Sequence, residues 1–191
     1  MQHQVLDSLL MAKNDSDINI RDYDKGDHNK IIQLVSNIII NEFKFKLELD
    51  NLDSDLVHIE EHYNKCSGGC FWVAEISNGD TNIGNIKINK NDADNDKIIV
   101  GTTAVRRLEK FESAAELKRM YVLKRYRGFG IGQQMLDKAI DFAKSFGYSR
   151  VLLDSSHNLI AARRFYLRNG FIDVSRYNDN YRADVFMEKR L

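Results

Sequence analysis

The chain has 191 residues, 43% of them apolar, and its 28 basic side chains balance 28 acidic ones at neutral pH. This length is enough for one substantial hydrophobic core and short for two, so we expect one domain. The balanced charge, without a dense basic block, argues against nucleic acid as a partner. No apolar run approaches the roughly 18 residues of a membrane span, and the N-terminus lacks a signal pattern. We therefore expect a cytoplasmic protein that has no membrane partner.

The first third of the chain predicts an edge strand and two helices. Residues 1–16 look like an extension, and residues 17–21 alternate apolar and polar side chains as an edge strand does. Residues 25–45 have the spacing of a helix with one apolar face. Asp53 is a candidate N-cap for a second helix that runs to about Tyr63.

A hairpin with a polar insert is predicted next. Residues 71–76 and 98–108 have strand patterns. Between them, residues 77–97 include 13 Asn, Asp or Lys among 21 positions, so this insert buries little and is expected to form an elongated, mobile hairpin tip. Its three isoleucines, Ile83, Ile86 and Ile88, are β-branched and apolar and could extend the two strands.

Two cysteines, Cys66 and Cys70, flank a Ser-Gly-Gly segment just before this hairpin. A structural zinc site needs further ligands, and the sequence has no second cysteine pair or histidine cluster nearby. We therefore expect free thiols and no bound metal.

The rest of the chain alternates strands and helices. After a strand at 116–122, the predicted elements are a helix from about Gly130 to Phe146 capped by Gly147, a strand at 150–154, a helix from Asn158 to Asn169 ended by Gly170, and strands at 172–176 and 183–189. This order of elements predicts a mixed α/β fold in which helices cover a sheet.

A glycine-rich segment, Arg127-Gly128-Phe129-Gly130-Ile131-Gly132, lies between a predicted strand and a predicted helix. Glycines let the backbone approach a ligand closely, and a helix N-terminus directs free N–H groups at an anion. This context favours a phosphate-binding loop over a plain surface turn. A Walker loop is excluded because Gln133 and Gln134 follow the last glycine, and a dinucleotide fingerprint is disfavoured because the glycines are spaced by twos.

The pattern R-x-x-G-x-G at Arg127, Gly130 and Gly132 resembles the acyl-CoA pyrophosphate loop of the GNAT superfamily of N-acetyltransferases. Two further segments match in the family's order and spacing, AELKRMYV before the loop and NLIAARRFYLRNGF after it. The resemblance covers about residues 17–191. It implies one mixed α/β domain with a mostly antiparallel sheet, a splayed parallel strand pair at 116–122 and 150–154, and about four flanking helices.

The resemblance also implies an enzyme that moves the acetyl group of acetyl-CoA directly to a primary amine of a small molecule or peptide, without a metal. Direct transfer needs an unprotonated amine, a stabilised oxyanion and a proton for the thiolate. Two alternatives remain open: a non-catalytic acyl-CoA-binding module, and an acyltransferase that uses another acyl-CoA or a protein amino group. The sequence also leaves open a homodimer.

By resemblance, Glu116 and Tyr166 are the candidate catalytic residues. Glu116 stands where several histone-type members carry a catalytic carboxylate, which would act as general base through water. The alternative for this carboxylate is an ion pair with Lys118 or Arg119. Tyr166 would protonate the thiolate leaving group, and its alternative is a core tyrosine packed beside Phe165.

The family supplies oxyanion donors from backbone N–H groups at a strand bulge. The residues implied to bind the cofactor are Met120, Tyr121, Val122, Arg125, Arg127, Gly128, Phe129, Gly130, Ile131, Gly132, Asn158 and Arg164. Asn158 would bond pantetheine amides and also cap its helix, whereas Arg164 would contact the 3′-phosphate or belong to a solvated helix face. For the acceptor amine, the first two helices and the 178–181 turn supply the candidates Glu42, His58, His62 and Tyr181.

Overall fold

The computed structural model describes residues 18–77, 82–83, 86–87 and 97–191, with only the backbone at residues 82–83 and 86–87. The predicted extension at residues 1–16 and most of the predicted insert at residues 77–97 lie outside the described residues.

A seven-stranded sheet forms the centre of the described chain. The strands in chain order are β1 (Ile18–Asp22), β2 (Cys70–Ser77), β3 (Asn82–Ile83), β4 (Ile86–Lys87), β5 (Lys97–Arg107), β6 (Ala114–Val122), β7 (Arg150–Ser155), β8 (Ile172–Asp173) and β9 (Val185–Arg190). The sheet has the order β1-β2-β5-β6-β7-β9-β8, and its neighbouring strands are antiparallel except for the parallel pair β6 and β7. This confirms the predicted mostly antiparallel sheet with one parallel pair.

Two of the helices come from the first third of the chain. A 3₁₀ turn at Lys25–Asp27 leads into α1 (His28–Ser36), and the helix continues as a π-helical segment at Asn37–Glu42. The predicted helix at 25–45 is therefore present but changes its hydrogen-bonding pattern twice. π-Helical segments are rare and occur frequently at functional sites.

The predicted continuous helix from Asp53 to Tyr63 is wrong. A 3₁₀ turn at Ser54–Leu56 and the short helix α2 (Ile59–His62) occupy this stretch. Asp53 makes no capping hydrogen bond because its carboxylate instead accepts from Arg119, Arg182 and the Glu48 N–H. A cap engaged by distant arginines cannot start a long helix.

The other two helices follow the predictions more closely. α3 (Ile131–Phe146) begins within the glycine-rich segment, directly after Gly130, and ends at Gly147, which has φ +90°. α4 (Ile160–Arg168) begins two residues later than predicted, so Asn158 lies in the preceding turn and does not cap the helix.

Helices cover both faces of the sheet. On one face, called here the α1–α2 face, Ile31, Val35, Ile38 and Ile59 pack against Phe71 and Val73 of β2. On the other, the α3–α4 face, Leu136, Ala139 and Tyr166 pack against Leu117 of β6 and Leu153 of β7. Side chains alternate between the two faces along a strand, so neighbouring residues of β6 or β7 serve different cores.

The two parallel strands separate soon after they meet. β6 pairs with β7 only at Ala114, Ala115 and Glu116, which lie opposite Arg150, Val151 and Leu152. Beyond these positions, each strand keeps its antiparallel partner on the outer side, β5 for β6 and β9 for β7. A gap therefore opens in the middle of the sheet, at the carboxyl ends of both strands.

The described parts of the insert form a separate ladder. Asn82 pairs with Lys87 and Ile83 with Ile86, and these short strands do not join the seven-stranded sheet. Ile88 lies outside the described residues.

Removing the insert should leave the fold intact. Ser77 and Lys97 are direct partners at the end of the β2–β5 ladder, so replacing residues 78–96 by Asn-Gly would close a two-residue hairpin there. We expect the free energy of unfolding to change by less than about 1 kcal/mol, measured by urea titration. Loss of cooperative unfolding would contradict this and place the insert in the core.

Candidate active site

The gap between β6 and β7 forms a cleft of about 150 Å³. Its two strand walls are Leu117–Tyr121 of β6 and Leu153–Ser156 at the end of β7. α4 contributes Ala162 and Tyr166, the chain after the π-helical segment contributes Phe43 and Phe45, and the segment before β9 contributes Asn180 and Arg182.

A bulge interrupts β6 at the mouth of this cleft. Thr102 pairs with Tyr121 and Ala104 with Lys118, so Arg119 and Met120 both lie opposite Thr103. Arg119 has φ +53°, a left-handed conformation that is unfavourable for a residue with a side chain. Thr102 Oγ1 donates to the Arg119 carbonyl at 2.7 Å. The bulge thus occupies the position where the family resemblance implies oxyanion donors, beginning one residue before Met120.

Arg119 anchors the bulge to the α1–α2 face. Its guanidinium donates to Asp53 Oδ1 at 2.8 Å, to the Leu52 carbonyl at 3.1 Å and to both carboxylate oxygens of Asp55, with Nε to Oδ2 at 2.9 Å. Tyr63 also donates to Asp55. Burial alone would raise the pKa of Asp55, but the hydrogen bonds and charge of Arg119 lower it to about 2. This buried network fixes the strained backbone of the bulge.

The same network extends to the segment before β9. Arg182 lies 3.0 Å from Asp53 Oδ2, and Tyr181 donates its hydroxyl to Glu48 Oε1 at 2.6 Å. Tyr181 is 64% exposed and lies next to the cleft-lining Asn180 and Arg182. The segment expected to line the acceptor site therefore contacts the cleft.

The other acceptor candidates lie elsewhere. Glu42 forms an ion pair with Arg127 at 2.7 Å, and so joins the π-helical segment to the glycine loop. His58 and His62 are exposed, and neither belongs to the lining of the cleft.

Glu116 lies below the cleft rather than in its wall. Its side chain is 0% exposed, and Arg106, its cross-strand neighbour on β5, donates to Oε2 from Nε at 2.8 Å. Oε1 accepts from the Tyr177 hydroxyl at 3.0 Å and from Asn178 Nδ2 at 3.1 Å. An ion pair was one prediction for Glu116, but the predicted partners, Lys118 and Arg119, are wrong because the register of β5 places Arg106 opposite it.

Tyr166 lines the cleft from α4 and also packs in the core. Its ring makes edge contacts with Phe165 and Phe171, so the predicted packing and the predicted access to the cleft are both present. No described residue hydrogen-bonds its hydroxyl. Burial, followed by the charges of Tyr121 and Asp154, raises the pKa of Tyr166. The phenol therefore stays protonated and available as a donor.

The glycine loop has the backbone that a phosphate site needs. Gly128 and Gly130 have φ of +86° and +83°, values that favour glycine, and no atom lies within 4 Å of a Cβ built at either position. The first turn of α3 follows at once, with its free N–H groups at the loop. Arg127 Nε bonds the Val122 carbonyl at 2.8 Å, which ties the loop to the end of β6.

The remaining predicted cofactor residues are spread around the loop and α4. Arg125 stacks over the ring of Tyr126, at 4.8 Å from its centroid. Asn158 and Arg164 are exposed near the start and on the surface of α4. Among the described residues, no group of three His, Cys, Asp or Glu could hold a metal ion. No helix in the described part of the chain is long and apolar enough to cross a membrane.

A sheet that opens between its parallel strands, a bulge at the opening and a glycine loop before a helix are the features of an acetyltransferase of the GNAT fold. The family model Acetyltransferase (GNAT) family matches residues 39–171, and the chain belongs to this family.

Named relatives and solved structures agree with this assignment. The N-acetylaspartate synthetase of Homo sapiens is 34% identical over 120 residues, 63% of this chain and 33% of that protein. The Xenopus tropicalis protein of the same name is 32% identical over 137 residues, 72% of this chain and 41% of that protein. The chain thus spans well under half the length of these relatives. An acetyltransferase of the GNAT family from Staphylococcus aureus Mu50 has a TM-score of 0.73 at 30% identity and covers 91% of this chain and 98% of its own.

A more distant structure shares the fold alone. The PaiA N-acetyltransferase of Thermoplasma acidophilum, solved in complex with coenzyme A, has a TM-score of 0.62 at 17% identity and covers 91% of this chain and 99% of its own.

Proposed function

We propose that this chain transfers the acetyl group of acetyl-CoA directly to the primary amine of a small molecule. The observation that carries the proposal is the cleft itself, because the residues of the β6 bulge and Tyr166 line the same space. The family uses acetyl-CoA, and the glycine loop follows β6, the strand with the bulge, after a 3₁₀ turn at Lys124–Tyr126.

The cofactor would lie across the end of the sheet. Its pyrophosphate would meet the N–H groups of the loop from Gly128 to Gly132, with Arg125 and Arg127 supplying positive charge. Asn158 and Arg164 are exposed at the adjoining helix and would contact the pantetheine and the 3′-phosphate. The acetyl thioester would then enter the cleft between the separated strands.

The reaction centre would combine the bulge and Tyr166. Backbone N–H groups at Met120 to Val122 would stabilise the oxyanion of the tetrahedral intermediate, and the anchored bulge would hold them without reorganisation. The Tyr166 hydroxyl would donate to the thiolate as the C–S bond breaks. Its raised pKa keeps this group a hydrogen-bond donor and makes full proton transfer to the sulfur more costly.

The acceptor would be a small amine that also carries a carboxylate. The N-acetylaspartate synthetases among the relatives are named for the acetylated form of such an amine. The cleft wall includes Lys118, which makes no ion pair with any described residue, and its ammonium could pair with a carboxylate. Arg182 lies on the same side but is already paired with Asp53.

An amine screen tests this function. Acetyl-CoA would be incubated with aspartate and other amino acids, polyamines, peptide N-termini and lysine peptides, and the release of free CoA would be measured. We expect turnover with small amino acids. Tight binding of acetyl-CoA without turnover of any amine would instead indicate an acyl-CoA-binding module.

Removing the Tyr166 hydroxyl should slow the chemical step. Tyr166→Phe keeps the ring packing, so we expect turnover to fall by roughly 10-fold or more while acetyl-CoA affinity is unchanged. An acyl donor with a more acidic thiol should recover part of the loss, because its thiolate needs the proton less.

Tyr148→Phe is a matched control for this variant. Tyr148 donates its hydroxyl to the Gly68 carbonyl at 2.7 Å, outside the cleft. Tyr148→Phe should lower the free energy of unfolding by about 1 kcal/mol and leave turnover unchanged. If Tyr166→Phe transfers the acetyl group at the wild-type rate, Tyr166 has only a packing role.

A further inference from the structure

The general base is the part of the reaction that the site described so far does not supply. An amine is mostly protonated at neutral pH, so a carboxylate or another base must take a proton before attack. Glu116 has both oxygens engaged by Arg106, Tyr177 and Asn178, and its side chain is fully buried outside the cleft lining. It therefore cannot touch an amine without losing the partners that hold it.

Asp154 is a carboxylate that does line the cleft. It stands near the carboxyl end of β7, where that strand has separated from β6. Its Oδ2 accepts from Asn178 Nδ2 at 2.6 Å, and its Oδ1 makes no hydrogen bond with a described residue. Asp53, the other carboxylate in the cleft lining, differs because Arg119 and Arg182 occupy both its oxygens.

Asp154 and Tyr166 belong to opposite faces of the sheet. Leu153 packs with Tyr166 in the core of the α3–α4 face. Alternation along β7 therefore directs the next residue, Asp154, to the α1–α2 face. An amine that enters from the α1–α2 face would then approach the acetyl carbon from the side of Asp154, and the sulfur would lie beside Tyr166 on the other side of the sheet.

Asn178 joins Asp154 to the buried Glu116. Its side-chain NH₂ group has two hydrogens, and it donates one to each carboxylate, at 2.6 Å to Asp154 and 3.1 Å to Glu116. Arg106 and Tyr177 hold Glu116 from its other sides. The position of Asp154 is thereby set by a chain of hydrogen bonds that ends in the ion pair between the buried Glu116 and the partly exposed Arg106.

We propose that Asp154 is the general base of the transfer and that Asn178 and Glu116 are positioning residues that act through it. The proposal rests on the proposed function, because it names the base for that same reaction.

These roles account for every proton and bond in the reaction. Asp154 takes one proton from the ammonium of the acceptor and passes it to solvent, and the free amine attacks the acetyl carbon to form the C–N bond. The C–S bond then breaks with its electron pair on sulfur, which takes the proton of the Tyr166 hydroxyl. The nitrogen loses its second proton, which returns to Tyr166 through solvent. One proton is released for each acetyl group transferred.

Asp154 is surrounded by other charged and ionisable groups. The charged or ionisable groups that share its cleft or its hydrogen-bond chain are Asp53, Arg106, Glu116, Lys118, Arg119, Tyr121, Tyr166, Tyr177 and Arg182. Since Asn178 donates to the carboxylate of Asp154, its loss should let that carboxylate move and lower the rate of proton transfer.

The test is the rate and pH dependence of Asp154→Asn, an isosteric variant without a proton acceptor. With acetyl-CoA and the best amine of the screen, turnover at pH 7 should fall by roughly 10²- to 10⁴-fold while acetyl-CoA affinity is unchanged. The deficit should shrink toward pH 10, where the amine is deprotonated in solution. Glu112→Gln, which neutralises an exposed carboxylate before β6, is the matched control and should keep the wild-type rate.

A double-variant cycle tests the positioning role. Asn178→Ala should lower turnover by about 10-fold, but in the Asp154→Asn background it should have no further effect. Additive losses would contradict action through Asp154.

Two outcomes separate this proposal from the proposed function. Wild-type turnover in Asp154→Asn, with the wild-type protein active, would overturn the base assignment alone. A wild-type protein that acetylates no amine would overturn both. If Asp154→Asn does not melt cooperatively, Asp154→Ser replaces it and the same outcomes apply.

Discussion

Replacing Gly132 by valine is expected to abolish acetyl-CoA binding while leaving the protein folded. Gly132 is the second residue of α3, and a Cβ built there would meet only the Met120 methyl group, at 4.0 Å. The side chain would project toward the space that a pyrophosphate must enter to reach the first N–H groups of the helix. Losing two hydrogen bonds to a charged ligand costs about 3–6 kcal/mol, or roughly 10²- to 10⁴-fold in affinity.

Gly132 tests the loop better than Gly130 does. Gly130 has φ +83°, so any side chain there strains the backbone whether or not a ligand binds. Calorimetric titration would measure affinity, with Gly132→Ala expected to lie between wild type and valine. Asp141→Val, on the exposed surface of the same helix, controls for a β-branched residue in α3. Wild-type affinity in a cooperatively melting Gly132→Val would refute the phosphate-loop assignment.

Removing the Arg119 guanidinium is expected to destabilise the protein severely. Arg119→Met keeps an unbranched side chain but leaves the buried carboxylates Asp53 and Asp55 without their shared cation. Breaking a buried ion pair in this way costs about 3–5 kcal/mol. Urea unfolding would measure the loss, and Arg168→Met on the exposed face of α4 should stay within about 0.5 kcal/mol of wild type.

The pH dependence of unfolding should show that the stability lost in Arg119→Met comes mainly from the charged carboxylate of Asp55. Its folded-state pKa of about 2 lies below the usual value, so its stabilising contribution is present above about pH 4 and is lost as the pH falls toward 2. Without Arg119, burial would raise that pKa instead. The difference between Arg119→Met and wild type should therefore shrink on acidification, and Arg119→Met/Asp55→Asn should recover part of the stability at pH 7. A pH-independent difference would point to lost packing.

The sequence predicted the second half of the fold well because its signals are local. The apolar spacing of α3 and its closing Gly147 placed that helix within a residue of its observed bounds, 131–146. The helix predicted after Asp53 was wrong for a non-local reason, since Arg119 and Arg182, distant in sequence, take the carboxylate that would have capped it. The π-helical segment likewise has no sequence pattern that separates it from an α-helix.

The prediction of site residues also depended on whether the sequence signal is local. Tyr166 was identified through a motif, and its position in the cleft wall agrees with the role it was given, which remains a proposal. Asp154 was not singled out, because it ends an apolar strand. Asn178 was named only as the start of the turn expected to line the acceptor site, without a role of its own. A signal was available for Asp154, since a polar residue at the carboxyl end of a strand beside a gap in an α/β sheet often faces a ligand.

The short contact between β6 and β7 also bears on how the protein unfolds. Only three residues of each strand pair across the junction, so the sheet consists of two halves that are joined at one end and held elsewhere by helices. A thioester ligand lying in the gap would touch both halves and take the place of the missing ladder. Binding to the folded state alone would add about 2.7 kcal/mol at a ligand concentration 100 times Kd. The cofactor would then stabilise the sheet as well as act as a substrate. The two halves of the sheet would unfold more cooperatively when the cofactor is bound than when it is absent.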